Sequence, residues 1–223
     1  MGSLEINGPR ILFRIMGYPI TETIRNQWII MAFVIVLAFW VSRNLKKIPS
    51  GKQHIAEIWI SMVQGLVKQA MGDKNMWFAP YVVALMPFLF FCNISGLVGL
   101  RPPTADLNTT LGMSLLTIFM FHFFNIKFNG IIAYLKGYLS PFVFFLPINI
   151  IGELSRPVSL SFRLFGNLFG GSVIISLIYF LLPVFLRLVV PIPFHIYFDL
   201  FSGGIQTFIF SMLTMVFIAN AIG

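Results

Sequence analysis

Long apolar stretches, separated by short breaks rich in basic residues, Pro or Gly, set the pattern of this chain. Residues 24–42, I-R-N-Q-W-I-I-M-A-F-V-I-V-L-A-F-W-V-S, form the first stretch able to cross a bilayer, which takes about 20 helical residues at about 1.5 Å each. Trp28 and Trp40 lie near its ends, where an aromatic belt places them. Residues 1–23, with Pro9, Gly17 and Pro19, read as an ordered, non-spanning lead-in. Over 52–70 the pattern changes. Ile55, Ile58, Trp59, Met62, Val63, Leu66 and Val67 keep helical spacing, while Gln53, Glu57, Ser61, Gln64, Lys68 and Gln69 fill the gaps. This predicts an amphipathic helix lying flat on the cytoplasmic interface, with a helix packed on a soluble partner as the rival reading.

A helical hairpin is expected over 78–124. Its first arm, 78–100, is apolar except for Asn93 and Ser95, and the turn R-P-P-T-A-D-L-N-T-T follows. The returning arm, 111–124, is short for a span, so its frame can begin near Asn108. From 139 to 190 there is more apolar sequence than one perpendicular crossing needs. A single long, tilted helix over 149–182 is the simplest reading, after a re-entrant or horizontal segment around 139–148. A last span over 194–222 completes an ion-path hairpin, 149–222. The expectation is an all-α membrane protein, a single polytopic domain over 1–223 with five transmembrane helices and one interfacial amphipathic helix. Arg43, Lys46, Lys47, Lys52, Lys127 and Lys136 fall between spans. By the positive-inside rule they put the N-terminus outside and the C-terminus in the cytoplasm.

Composition agrees with this pattern. Of 223 residues, 58% are hydrophobic and 10% charged, against about 25% charged in soluble domains. The net charge of +8 raises the question of nucleic acid, but the basic residues sit where membrane topology explains them. Cys92 is the single cysteine, which excludes an intrachain disulfide framework and a Cys-rich metal site. No cleavable signal is apparent before the first span. No phosphate-cradling loop, catalytic triad or zinc spacing is present, so no cofactor or metal is expected.

Polar residues inside the spans carry the remaining information: Asn93, His122, Glu153, Arg156, Arg163, Asn167, His195, Asp199 and Gln206. A guanidinium at bilayer depth costs about 2.5–3.5 kcal/mol on insertion scales and cannot deprotonate to escape. Arg156, Arg163 and Asn167 share one helical face, and Asp199 and Gln206, seven apart, share another. If those two helices pack antiparallel, the stripes can meet inside an apolar sheath, with Gly166, Gly170, Gly171, Gly203 and Gly204 allowing close approach. Arg163 is expected to face Gln206. Snorkelling or pairing with Glu153 is the structural alternative for the arginines, and helix–helix hydrogen bonding is favoured for His122.

The segment S-R-P-V-S-L-S-F-R-L-F-G-N (155–167) resembles the signature of subunit a of F-type ATP synthases. The stretches D-L-F-S-G-G-I-Q-T-F-I-F-S-M-L-T (199–214) and P-T-A-D-L-N-T-T-L (103–111) resemble that family's last helix and the loop before its fourth. The resemblance implies a non-catalytic stator subunit in a bacterial cell membrane. Its partners would be the c-ring, the subunit b peripheral stalk and the rest of the complex. It also implies two offset aqueous half-channels, with Arg163 between them preventing leak. Gln206 and Asn167 would be its polar neighbours, Asp199 would line the outer half-channel, and Asn93, Asp106 and Asn108 would mark the outer path. Two positions depart from the pattern. Ser172 stands where some members have an acidic residue or His, and Asn149 where many have Glu, with Glu153 one turn later. Protons are the expected coupling ion and Na⁺ the alternative. A stand-alone secondary transporter, with Arg163 binding an anionic substrate, is the reading from another class.

Overall fold

The protein was analysed as a computed structural model that describes residues 9–222 except 16, 44, 49, 50, 140, 141 and 184. Its described part is helical apart from one small hairpin, in which β1 (Ile11–Ile15) pairs antiparallel with β2 (Tyr18–Thr21). The lead-in is therefore partly a β-ribbon. Gly17, at φ 86°, supplies the left-handed turn between its strands. The Thr21 side chain then caps α1 (Glu22–Ser42) by accepting from the Ile24 amide.

Helix α2 (Lys52–Met71) ends at Gly72, whose φ of 80° suits a residue without Cβ. Its apolar stripe divides in two. Val63, Val67 and Met71 enter a core with Phe78, Val82, Met86, Met215 and Ile218, while Ile55, Ile58 and Met62 remain exposed. The helix thus packs on the protein along one edge and keeps an apolar face free.

Helices α3 (Ala79–Ile94) and α4 (Leu107–Asn129) cover most of the expected 78–124 stretch, and both pack against the last helix of the chain more than against each other. The α4 frame starts earlier than the apolar pattern indicates because Asp106 caps it, accepting from the Asn108 amide at 3.0 Å. A nine-residue helix α5 (Ile131–Leu139) follows Gly130 directly, ahead of the stretch around 139–148 expected to be re-entrant or horizontal, and α6 (Leu146–Leu181) begins soon after. At about 1.5 Å per residue, the 36 residues of α6 span roughly 54 Å, well beyond a hydrocarbon core of about 30 Å. Pro157 sits inside it, removing one ladder hydrogen bond.

The last span begins with a short turn, α7 (Pro191–His195), passes through a π-helical stretch at Ile196–Ser202, and continues as α8 (Gly203–Ile222). Five segments among the described residues are long and apolar enough to cross a membrane: Glu22–Ser42, Asp73–Val98, Leu107–Asn129, Val143–Leu181 and Pro191–Ile222. A second core, of Leu89, Ala105, Leu160, Leu164, Leu168 and Phe210, binds α3, α6 and α8 together.

Gly203 makes close packing possible between α8 and α3: a Cβ there would stand 3.0 Å from Cβ of Asn93. At Gly166 a Cβ would meet nothing within 4 Å. Gly203→Val is expected to cost about 1–3 kcal/mol by overpacking. The thermal unfolding midpoint in detergent should fall for Gly203→Val and stay unchanged for Gly166→Val.

Candidate functional site

The polar residues of the spans gather in three places along α6 and α8. The first lies at the end of the bundle where α3 meets α4. Asn93, buried in α3, donates through Nδ2 to the Gly203 carbonyl and to Thr207 Oγ1, both at 2.9 Å, and its Oδ1 accepts from Thr104 at 2.8 Å. Beside it, the Asp199 carboxylate is held against Gly96, where an added Cβ would lie 3.1 Å from Oδ2. His195 Nδ1 meets that same oxygen at 2.7 Å, and Tyr179 reaches His195 Nε2 at 3.4 Å. Asp106, besides capping α4, accepts from Thr23 of α1 at 2.7 Å. Asn108 is exposed and takes part through its backbone only.

The second place is the middle of α6. Ser202 donates to Asn167 Oδ1 at 2.9 Å, and Gly171 abuts Phe198. Continuing that antiparallel register one turn brings Arg163 level with Gln206. The two do not hydrogen-bond each other. Gln206 is 4% exposed and its Nε2 has no partner, whereas Arg163 is exposed and makes no hydrogen bond or ion pair among the described residues. The expectation of a facing pair is corrected to an arginine turned out of the protein and a buried amide without an acceptor. Around Arg163, α6 presents Gly152, Ser155, Ser159 and Gly166 exposed, and Gly170 half-buried, at helical spacing. A Cβ added at Gly152, Gly166 or Gly170 would meet nothing within 4 Å.

The third place lies toward the end formed by α5 and the start of α6. A cavity of about 210 Å³ runs from Arg163 to Arg156, lined also by Ser155, Ser159, Leu160, Leu213 and Phe217. The Arg156 guanidinium covers the rings of Phe121 and Phe217 and stands 3.7 Å from Glu153. Tyr138 of α5 lies near Glu153, and burial, with that carboxylate second, pushes its phenol pKa up. Tyr138 contacts Tyr134 Oη at 2.7 Å, and Tyr134 in turn reaches His122 Nδ1 at 2.9 Å. The two departures are already engaged locally. Ser172 donates to the Phe169 carbonyl within its own helix, and Asn149 donates to the Tyr138 carbonyl.

The family model for the ATP synthase A chain matches residues 25–219, which takes in all of these groups except Thr23. The chain belongs to the ATP synthase A chain family. It is 38% identical over 225 residues to an ATP synthase subunit a, sodium ion specific, of Propionigenium modestum, covering 94% of this chain and 76% of that one. It is 36% identical over 213 residues to ATP synthase subunit a of Moorella thermoacetica, covering 95% of each. A subunit a of Syntrophobacter fumaroxidans is 31% identical over 224 residues, with 98% and 92% covered. As a subunit a homologue the chain is a multi-pass membrane subunit of the ATP synthase complex, engaged in ion transport and ATP synthesis.

Sequence reasoning gave no functional weight to several groups that complete this subunit a site. His195 sits four residues before Asp199, a spacing that announces a shared helical face. Tyr134 and Tyr138 share the same relation, but their partners His122 and Glu153 come from other helices, which no local pattern reveals. Thr104→Val removes the donor to Asn93 Oδ1 and leaves a buried acceptor unpaired, expected to cost about 1–3 kcal/mol. A lowered thermal midpoint of the purified protein checks it; an unchanged midpoint contradicts the pairing.

Proposed function

We propose that this chain is the stator of the membrane sector of a rotary F-type ATP synthase, passing protons to and from a ring of c subunits through two offset half-channels. The observation that carries the reading is Arg163, exposed and without a partner among the described residues halfway along a membrane helix, on a stripe that holds Gly152, Ser155, Ser159, Gly166 and Gly170. An unpaired cation in hydrocarbon is costly, and with no counter-charge beside it among the described residues, one supplied from outside the chain is favoured. A ring subunit carrying a mid-membrane carboxylate fits, and small residues on either side of Arg163 give a moving neighbour clearance.

The electrostatics then follow. Arg163 favours the ionised form of a carboxylate that passes it, so a proton bound on one side must leave before the carboxylate crosses. The same positive charge repels a proton or Na⁺ moving directly between the two paths. Gln206, with its free amide donor level with Arg163, would hydrogen-bond the passing carboxylate, and Asn167, held by Ser202, steadies the adjoining turn. The group of Asn93, Asp106, Asp199 and His195 lies on the outer side in the topology set by the basic loops, and supports an inlet there. The cavity beside Arg163, with Arg156 and Glu153, supports the inner path. The subunit b stalk and the remainder of the complex hold the chain still against the ring. Nucleotide chemistry belongs to the assembled complex and not to this chain.

The sodium specificity named for the Propionigenium modestum relative makes Na⁺ the second reading. Titratable hydrogen-bonded groups on both sides of Arg163, including two histidines, favour protons. Arg163→Ala is expected to abolish ATP-driven pumping and ATP synthesis with the complex still assembled; coupled synthesis in that variant contradicts the mechanism. Varying Na⁺ at fixed pH is expected to leave ATP hydrolysis by the complex unchanged, and stimulation by Na⁺ would establish the second reading instead.

A further inference from the structure

The inner path has an unexplained side branch. Beyond the cavity that joins Arg163 to Arg156, four titratable groups from three helices stand in one line: Glu153 of α6, Tyr138 and Tyr134 of α5, and His122 of α4. The contacts of 2.7 and 2.9 Å leave no gap for an ion or a water between the last three groups. Resting on the stator reading above, we propose that Tyr138, Tyr134 and His122 form a proton wire that connects Glu153 to the cytoplasmic face. The short helix α5 is then part of the inner half-channel and more than a connector.

The chemistry balances. Tyr138 stays neutral, because burial and the nearby Glu153 carboxylate disfavour its phenolate. The transfer is therefore concerted. A protonated Glu153 gives its proton to Tyr138 Oη as Tyr138 gives its own to Tyr134 and Tyr134 gives its own to His122 Nδ1. The products are a Glu153 carboxylate, two neutral phenols and an imidazolium. That imidazolium releases the Nε2 proton to water, and reorientation of the two hydroxyls and the ring resets the line. Arg156, 3.7 Å from Glu153, stabilises the carboxylate left behind. During ATP-driven pumping the same line runs in reverse.

The groups facing this line are few. Glu153 and Arg156 approach from α6, and Tyr134 and Tyr138 from α5, where Lys136 is exposed. Lys127 lies five residues beyond His122 on α4, with its ammonium near the rings of Phe123 and Phe128, and α8 carries no titratable side chain. An imidazolium at His122 cannot accept from Tyr134, so inward flux should fall when the cytoplasmic side is acidified.

The test uses the assembled complex, stripped of its nucleotide-hydrolysing part, in liposomes under a potassium diffusion potential. Tyr134→Phe and Tyr138→Phe are each expected to lower passive proton flux about tenfold with complex yield unchanged. Both should also abolish the dependence on inner-side pH while leaving the dependence on outer-side pH intact. His122→Gln keeps a partner for Tyr134 but cannot be protonated, and is expected to behave the same way. This variant covers the case in which a phenylalanine substitution fails to assemble. If Arg163→Ala blocks flux while all three variants keep wild-type flux and inner-side pH dependence, the wire is overturned and the stator reading stands. If Arg163→Ala itself leaves coupled flux, the stator reading falls and the wire with it.

Discussion

One constraint governs the architecture: a permanent positive charge that has no partner among the described residues, placed midway along a membrane helix. Arg163 cannot shed its proton, and lipid cannot solvate it. The surrounding elements are arranged so that it is neither buried in a stable ion pair nor left against hydrocarbon. Its own stripe on α6 carries Ser159, Gly166 and Gly170, an adjoining face is anchored by Leu160, Leu164 and Leu168, and a cavity opens beside it. A strong internal salt bridge would satisfy the charge and remove its use. The carboxylate of the same helix, Glu153, stands beside Arg156 instead, ten residues before Arg163.

The same logic separates the two ends of the site. At one, hydrogen bonds are buried and fully engaged: Asn93 satisfies Thr104, Thr207 and the Gly203 carbonyl at once, and Gly96 lets Asp199 sit against α3. Such a network is rigid, since each member left alone would pay a desolvation penalty of about 1–3 kcal/mol. At the other end the groups are half-buried and reach across α4, α5 and α6, with a cavity between them and Arg163. A stiff side and an open side about one charged residue suit a machine in which the partner moves and this chain does not.

Much of this was readable from residue order, and the unreadable remainder has physical causes. Apolar length and the basic loops gave the spans, because hydrophobicity over about 20 residues is a summed property that single positions scarcely alter. Their ends were less legible: α4 starts at Leu107 because of one capping side chain, Asp106. The π-helical turn at Ile196–Ser202 has no signature in I-Y-F-D-L-F-S, and the β-ribbon before α1 was hidden by its shortness. Of the site, residues sharing one helix could be grouped by spacing, as Asp199 with Gln206. The relation of Arg163 to Gln206 could not be settled that way. Spacing sets which face a residue occupies, whereas the contact depends on how α6 and α8 pack. The line from Glu153 to His122 joins three helices and leaves no trace in any one of them.

The account turns on the exposed stripe of α6 being the surface that the rotor passes. Cysteines introduced at Gly166 and Gly170, paired with one beside the mid-membrane carboxylate of the ring subunit, measure this directly in the intact complex. Oxidation should cross-link both pairs and stop rotation-coupled hydrolysis, while a cysteine at buried Ser161 should stay unlinked. Absence of cross-links from Gly166 and Gly170, together with efficient cross-links to the ring from the exposed face of α1, for instance at Val36, would contradict the account.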